Sequence, residues 1–452
     1  MMLEAMEGPF DLLRHGPWLV FAFCFGACIG SFLNVVVYRL PRGISLVNPP
    51  SSCPHCGARL RFFRENLPVF GWVLLRGKCR WCRASISPVY PIVELTVAVL
   101  LVGLYAVLFM TTDRDGWWFQ VAGPWWGKQG FAMAWPAYSA IAVLLAALWA
   151  TTVIDAKTFL IPIQIPVFAS IAGMMLWTIE GGIARNLGTL WPLPGADWSM
   201  TLAGGLGLAG VLGATALLWM GRFKPSFADY EEYVPEGETL GDYPHARREM
   251  GRELLFLVPC IAGILIGWWW GSTLQGAPPR WIQALGTCMF GYIVGGGLVW
   301  SVRILGTLGF GREAMGLGDV HLLAAVGAVL GWFVPVIAFF IAPFLGLAWA
   351  AGTAIWGRVG GTRRELPYGP HLAVAVVAVF LCRPLVLAGL EAILPTVDPP
   401  ARGLVPAVGD QTQPSAIDAL SDAVGGSGGQ WTMNTVQCRQ PGMDIGLRDG
   451  SL

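Results

Sequence analysis

Two aspartates and four cysteines are the residues of this chain whose types and spacing carry chemistry. Asp155 lies in LLAALWATTVIDAKTFLIP (144–162) and Asp319 in GREAMGLGDVHLLAAVGAVLGW (311–332), each where a long apolar run meets a short polar one. An ionisable side chain at such a boundary costs roughly 3 kcal/mol or more unless something uses it, so it reads as functional. Two carboxyl groups brought together from separate helices can share one proton and activate one water, a pairing that hydrolyses peptide bonds. Each aspartate alone has a plainer reading. Lys157 can neutralise Asp155. Asp319 can serve as a helix N-cap, with Gly316 and Gly318 permitting a tight start.

The cysteines form CPHC at 53–56 and CRWC at 79–82, a Cys-x2-Cys pair repeated after 22 residues. Each pair makes a knuckle offering two sulfurs, and four thiolates so spaced suit tetrahedral zinc with no open position for catalysis. An iron–sulfur cluster or a redox pair is the alternative use of Cys53, Cys56, Cys79 and Cys82. His55, inside the first knuckle, reads as a solvated residue. Cys24, Cys28, Cys260, Cys288 and Cys382 lie in apolar runs and read as small buried hydrophobes.

These residues must be positioned by apolar helices. Of 452 residues 55% are hydrophobic and 13% charged, with mean hydropathy +0.59. A soluble domain carries about 25% charged residues, so the expected class is an all-α polytopic membrane protein. The net charge of +1 gives no basis for a nucleic-acid partner. Windows long enough to cross about 30 Å of hydrocarbon fall near residues 17–38, 89–110, 138–154, 163–179, 200–220, 254–272, 284–305, 320–333, 334–356 and 371–391. The eighth is short enough to be re-entrant, and Arg383-Pro384 blurs the end of the tenth.

Lysine and arginine set the orientation. The segment 39–88 holds nine of them and one acid, Glu65; in all, 20 fall on that side of the ten spans and 8 on the other. The basic side is expected to be cytoplasmic, and both aspartates then come out at the cytoplasmic face, although the count did not use them.

Five blocks in order resemble a known family: GSFLNVVVYRLPRG (30–43), CPHCGARLRFFRENLPVFGW (53–72) leading into SPVYPIVELTVA (87–98), Asp155 at a helix end, GLGDVHLLAAVGA (316–328) and LPYGPHLA (366–373). They look like the bacterial type IV prepilin peptidases, membrane aspartic proteases with a Gly-x-Gly-Asp motif. The resemblance covers roughly residues 17–179 and 284–391. It implies removal of the basic leader of type IV prepilins or secretion-system pseudopilins at the cytoplasmic face of the inner membrane. Asp155 and Asp319 would be the catalytic pair, and Cys53, Cys56, Cys79 and Cys82 the structural zinc ligands. Many members then methylate the new N-terminus with S-adenosylmethionine. The loop containing Glu65-Asn66 resembles that of bifunctional members, but no Rossmann-type glycine signature offers a cofactor site.

Three features depart from the family pattern. Ile163 and His321 stand where aspartate and lysine are common, and the aspartates are 164 residues apart, with the extra length in 180–283. Other uses of two membrane carboxylates are a tyrosine-flanked intramembrane protease, a carboxylate-coupled transporter and an inactive assembly scaffold.

The expected organisation is a first helix (1–38), a cytoplasmic tetracysteine module (39–88), helices carrying the first aspartate (89–179), an inserted helix pair with a hydrophilic loop at 221–253 (180–283), helices carrying the second aspartate (284–392) and a disordered tail (393–452). The five tryptophans of 111–137 read as an interfacial belt. His321, about 200° around its helix from Asp319, is expected to face a neighbouring helix. Glu94 is expected to pair with a base or line a substrate groove, Arg363, Arg364 and Glu365 to snorkel, and Tyr368, Gly369 and Pro370 to shape access for the extended cleavage segment.

Overall fold

A computed structural model describes residues 9–61, 65–111, 116–184, 193, 195–227, 245–355 and 367–393. The predictions for 396–452, for the middle of the 221–253 loop and for Arg363, Arg364 and Glu365 lie outside these residues. Every predicted window becomes a helix: α1 (Pro9–Arg39), α2 (Val89–Phe109), α3 (Phe131–Thr158), α4 (Gln164–Ile183), α5 (Trp198–Trp219), α6 (Ala246–Thr273), α7 (Arg280–Phe310), α8 (Leu317–Leu330), α9 (Phe333–Ile355) and α10 (Tyr368–Leu381). Eight are long and apolar enough to cross a membrane, and α8 and α10 are shorter apolar helices. Among the described residues there is no strand, only isolated bridges between Ser52 and Arg59 and between Lys78 and Ser85. The protein is an all-helical, multi-pass membrane protein.

Lipid tails are as apolar as leucine, so helix contact in a membrane rests on close packing between small residues. Helices α7 and α8 cross where Gly291 and Gly327 meet backbone to backbone, with no room for a Cβ on either. Helices α5 and α6 meet along a similar stripe of Gly207, Gly210, Gly263, Gly267 and Gly271. In α1, Gly26 and Gly30 press on the α2 backbone at Ala98 and Glu94.

Helix α8 is the centre of the assembly. Val320 and all residues from Leu322 to Val329 are buried against α3, α4, α7, α9 and α10. Its 14 residues rise only about 21 Å, as do those of α10, against about 30 Å of hydrocarbon. Such short helices are tolerated because protein, not lipid, surrounds their ends. Asp319 lies in the first turn of α8. Gly369 lies in the first turn of α10.

The structure corrects several local expectations. Helix α6 starts at Ala246 rather than near 254, and its first two turns bury Glu249 and Glu253. Those acids find arginine partners, so the polar run is packed rather than wholly solvated. Helix α10 stops at Leu381, and a separate helix begins at Arg383 with Pro384 in its first turn, where a missing N–H is tolerated. Trp125 and Trp126 are buried in an aromatic cluster with Phe109, Tyr105, Phe131 and Tyr138, whereas Trp117 and Trp135 stay exposed. Cys260 and Cys288 are buried, but Cys24 and Cys28 lie on the uncovered face of α1. Among the described residues Glu94 forms no ion pair; it accepts the Val69 N–H at 2.6 Å, tying α2 to the cysteine segment.

Candidate active site and metal centre

The cysteine segment folds as two matched knuckles. Cys53 N–H donates to Ala58 O at 2.9 Å and Cys79 N–H to Ala84 O at 2.8 Å, while Gly57 and Arg83 donate back to Cys53 O and Cys79 O. Gly57 and Arg83 both take left-handed backbone (φ +70° and +61°), which turns each second sulfur toward its partner. All four ligand atoms lie within 4.8 Å of one another, with Cys53 Sγ 3.8 Å from Cys82 Sγ and Cys56 Sγ 4.0 Å from Cys79 Sγ. A tetrahedron with metal–sulfur bonds of about 2.3 Å has edges of about 3.8 Å, so the cage fits one metal ion. The backbone amides of Cys56 and His55 hold the Cys53 thiol down to about 6, whereas burial and the neighbouring sulfurs push Cys82 up to about 11, so the four thiols give up their protons as one set. His55 is exposed, as expected.

Asp155 sits near the end of α3, one turn before Phe159, whose left-handed backbone (φ 55°) ends the helix with its N–H on the Asp155 carbonyl. The side chain is buried, 6% exposed, and Oδ2 accepts the Gly369 N–H at 3.1 Å. Lys157 is exposed, and among the described residues it forms no ion pair with Asp155. The chain beyond Phe159 folds back and brings Ile161 against both Gly318 and Gly369. A Cβ at 318 would lie 2.7 Å from Ile161 Cβ, and one at 369 would lie 2.6 Å from Asp155 Oδ2 and 3.2 Å from Ile161 Cδ1. Glycine at both places is a matter of space.

Asp319 is not the cap of α8. Gly316 is the N-cap, and Asp319 is the third helical residue, half-buried, with its carboxyl turned back toward the Gly316 amide. Ile161 touches both Gly318, the neighbour of Asp319, and Gly369, whose amide holds Asp155, so segments 164 residues apart converge on one site. The histidine that shares a helix end with Gly369 is His371, two residues on. His371 Nδ1 lies 2.9 Å from Pro367 O, an acceptor, so Nδ1 carries the proton and donates. His321 is half-buried, with Nδ1 unpartnered among the described residues. Tyr368 donates its hydroxyl to Phe339 O at 3.3 Å and reaches Asp319 electrostatically. Sequence reasoning assigned Gly369 only a general shaping role and did not single out His371; the sole signal was their place in LPYGPHLA.

One buried and one half-buried carboxyl group, a backbone donor on the first and a separate four-thiol cage are therefore present together. The model for the bacterial peptidase A24 N-terminal domain matches residues 24–108, and that for the type IV leader peptidase family matches 253–351. A prepilin leader peptidase/N-methyltransferase of Pectobacterium carotovorum subsp. carotovorum is 31% identical over 263 residues, which span 51% of this chain and 80% of that relative. The chain belongs to the type IV leader peptidase family.

A prepilin leader peptidase/N-methyltransferase of Aeromonas hydrophila is 27% identical over 80% of this chain and 91% of its own length. One of Dickeya chrysanthemi is 28% identical over 79% and 90%. No solved structure matches. The four cysteines lie in the first family segment and Asp319 in the second; Asp155 lies between them. The second segment begins at Glu253 and so takes in most of α6, which the sequence pattern grouped with an insertion. Membership of a leader peptidase family disfavours the transporter and scaffold readings.

Proposed function

We propose that this protein is an aspartic endopeptidase of the cytoplasmic face of the inner membrane. It cuts the basic leader from type IV prepilins or pseudopilins, with Asp155 and Asp319 as the catalytic pair. The observation that carries this reading is the convergence of the Asp155 and Asp319 segments around Ile161 and Gly369, in a chain of the leader peptidase family. One carboxylate takes a proton from water as that water attacks the scissile carbonyl, and the other, protonated, donates to the carbonyl oxygen. The two titrations belong to the pair. The Gly369 amide fixes the orientation of the Asp155 carboxyl. His371 and Tyr368 line the same site on α10.

The metal of the cysteine cage is zinc, bound by Cys53, Cys56, Cys79 and Cys82. Four thiolates with tetrahedral edges leave no open position, so the ion is structural. The relatives' N-methyltransferase name supports a second, methyl-transfer activity, which would act on the new terminus with S-adenosylmethionine as donor. Two recesses among the described residues are lined by aromatic and aliphatic side chains with an arginine in each and no acid. Neither suits the ammonium and ribose hydroxyls of that donor, so no residue is assigned to it and no step is derived.

The test is cleavage of a prepilin-like substrate by purified protein, the substrate having a basic leader, Gly and an apolar stem with Glu at its fifth position. Asp155→Asn and Asp319→Asn should each abolish cleavage while the protein still inserts. Near-normal processing by either would end the assignment.

A further inference from the structure

A buried ion-pair cluster stands just upstream of Asp319. Arg303 of α7 is 1% exposed. Its Nε and Nη2 donate to the Glu253 carboxylate of α6 at 3.0–3.2 Å. Its Nη1 donates to the Glu313 carboxylate and to the Met315 carbonyl, both in the segment that joins α7 to α8. The Trp300 indole donates to Glu253 Oε2 at 2.8 Å, and the Phe227 ring lies 5.4 Å from the guanidinium. Ala314 N–H donates to Thr307 Oγ1 at 3.1 Å. Three consecutive residues, Glu313 to Met315, are thus held to α7, and the next residue is Gly316, the N-cap that the Asp319 carboxyl faces.

Stability alone is a poor account of this cluster. A buried ion pair is often no more stabilising than apolar residues of the same volume, because desolvation offsets the attraction. What a planar guanidinium supplies, and an apolar side chain or lysine does not, is several donors in fixed directions. Here those directions lead to a second helix and to the backbone immediately before Gly-x-Gly-Asp.

We propose that Arg303 is a positioning residue for the aspartate pair, fixing the 313–316 turn, and through it Asp319, while Glu253 of α6 fixes the guanidinium. The proposal rests on the catalytic pair described above. It gives α6 a part in the reaction that the helix does not touch.

The experiment uses full-length protein in detergent and a synthetic prepilin-like peptide with a basic leader, Gly and an apolar stem. Arg303→Lys keeps the charge but cannot span both partners. It should lower kcat at least about tenfold, as misplacement of a catalytic group does, and leave KM within about twofold. Amide exchange should quicken over 311–319 and stay unchanged in the other helices, and zinc content should stay native. Glu313→Gln, at a half-buried position and so less prone to unfold the chain, should show the same confined exchange with a smaller loss of kcat. Native kcat in either folded variant would overturn the proposal. So would exchange that quickens uniformly through every helix, since Arg303 would then brace only the fold. If instead Asp155→Asn and Asp319→Asn cleave normally, the catalytic pair itself fails, whatever Arg303 does.

Discussion

The amide of Gly369 donates to Oδ2 of Asp155 at 3.1 Å, joining the first turn of α10 to a carboxylate 214 residues earlier in the chain. The bond exists because residue 369 has no Cβ. One placed there would lie 2.6 Å from that oxygen. Gly369→Ala should therefore push the carboxyl aside and lower kcat by about 10- to 100-fold, with normal membrane insertion and native zinc content. Steady-state cleavage kinetics check this, and a loss under threefold would mean that the carboxyl relocates without consequence.

Asp155 and Asp319 are also a source of strain. Carboxyl groups crowded together out of water disfavour their charged forms, and functional sites built this way are held at a cost in stability. Asp319→Asn removes one ionisable group and keeps the shape. Its melting temperature in detergent should equal or exceed the native value even though cleavage is lost. A drop of several degrees would mark Asp319 as a structural residue.

Metal analysis of the purified protein should find one zinc per chain and no iron. Cys79→Ser removes one edge of a cage whose sulfurs stand 3.8–4.0 Å apart. It should release the zinc and open the 39–88 segment to protease, since knuckles of this kind are folded by their metal. Full metal content in the serine variant would show that the ion is held elsewhere.

Glu94 gives a test with opposite outcomes for two substitutions. Its carboxylate accepts the Val69 N–H at 2.6 Å from a buried position. Glu94→Gln keeps an acceptor and should be nearly neutral. Glu94→Ala strands the amide and should cost about 1–3 kcal/mol, read as faster proteolysis of the cysteine segment. Equal effects from both would mean that the hydrogen bond does not hold the segment.

Helices α1 to α10 were legible in the residue pattern because hydrocarbon thickness imposes a minimum apolar length, and that constraint is written locally. The tetracysteine cage was legible for a similar reason, since a metal's coordination sphere fixes the spacing within each knuckle. Asp155 and Asp319 stood out because charge in an apolar run is rare. The starts and ends of helices were less legible: α6 begins eight residues before its apolar run, and although Glu249 pairs with Arg252 one turn on, Glu253 is neutralised by Arg303, 50 residues away, which no local pattern reveals.

Partner choice was decided by packing alone. Sequence spacing drew attention to Lys157 and His321 beside the aspartates, yet the group that holds the Asp155 carboxyl is the Gly369 amide, 214 residues on. Nothing near Arg303 in the chain marks it as the residue gripping the turn before Asp319, because its acceptors come from α6 and from a loop shaped by the crossing of α7 and α8. The amino-acid sequence determined which segments are long and apolar enough to span, which thiols can gather into one cluster and which acids are unusual. Only the tertiary structure decided which of those segments touch, since glycine permits close approach at many places and the whole set of helices must agree on one.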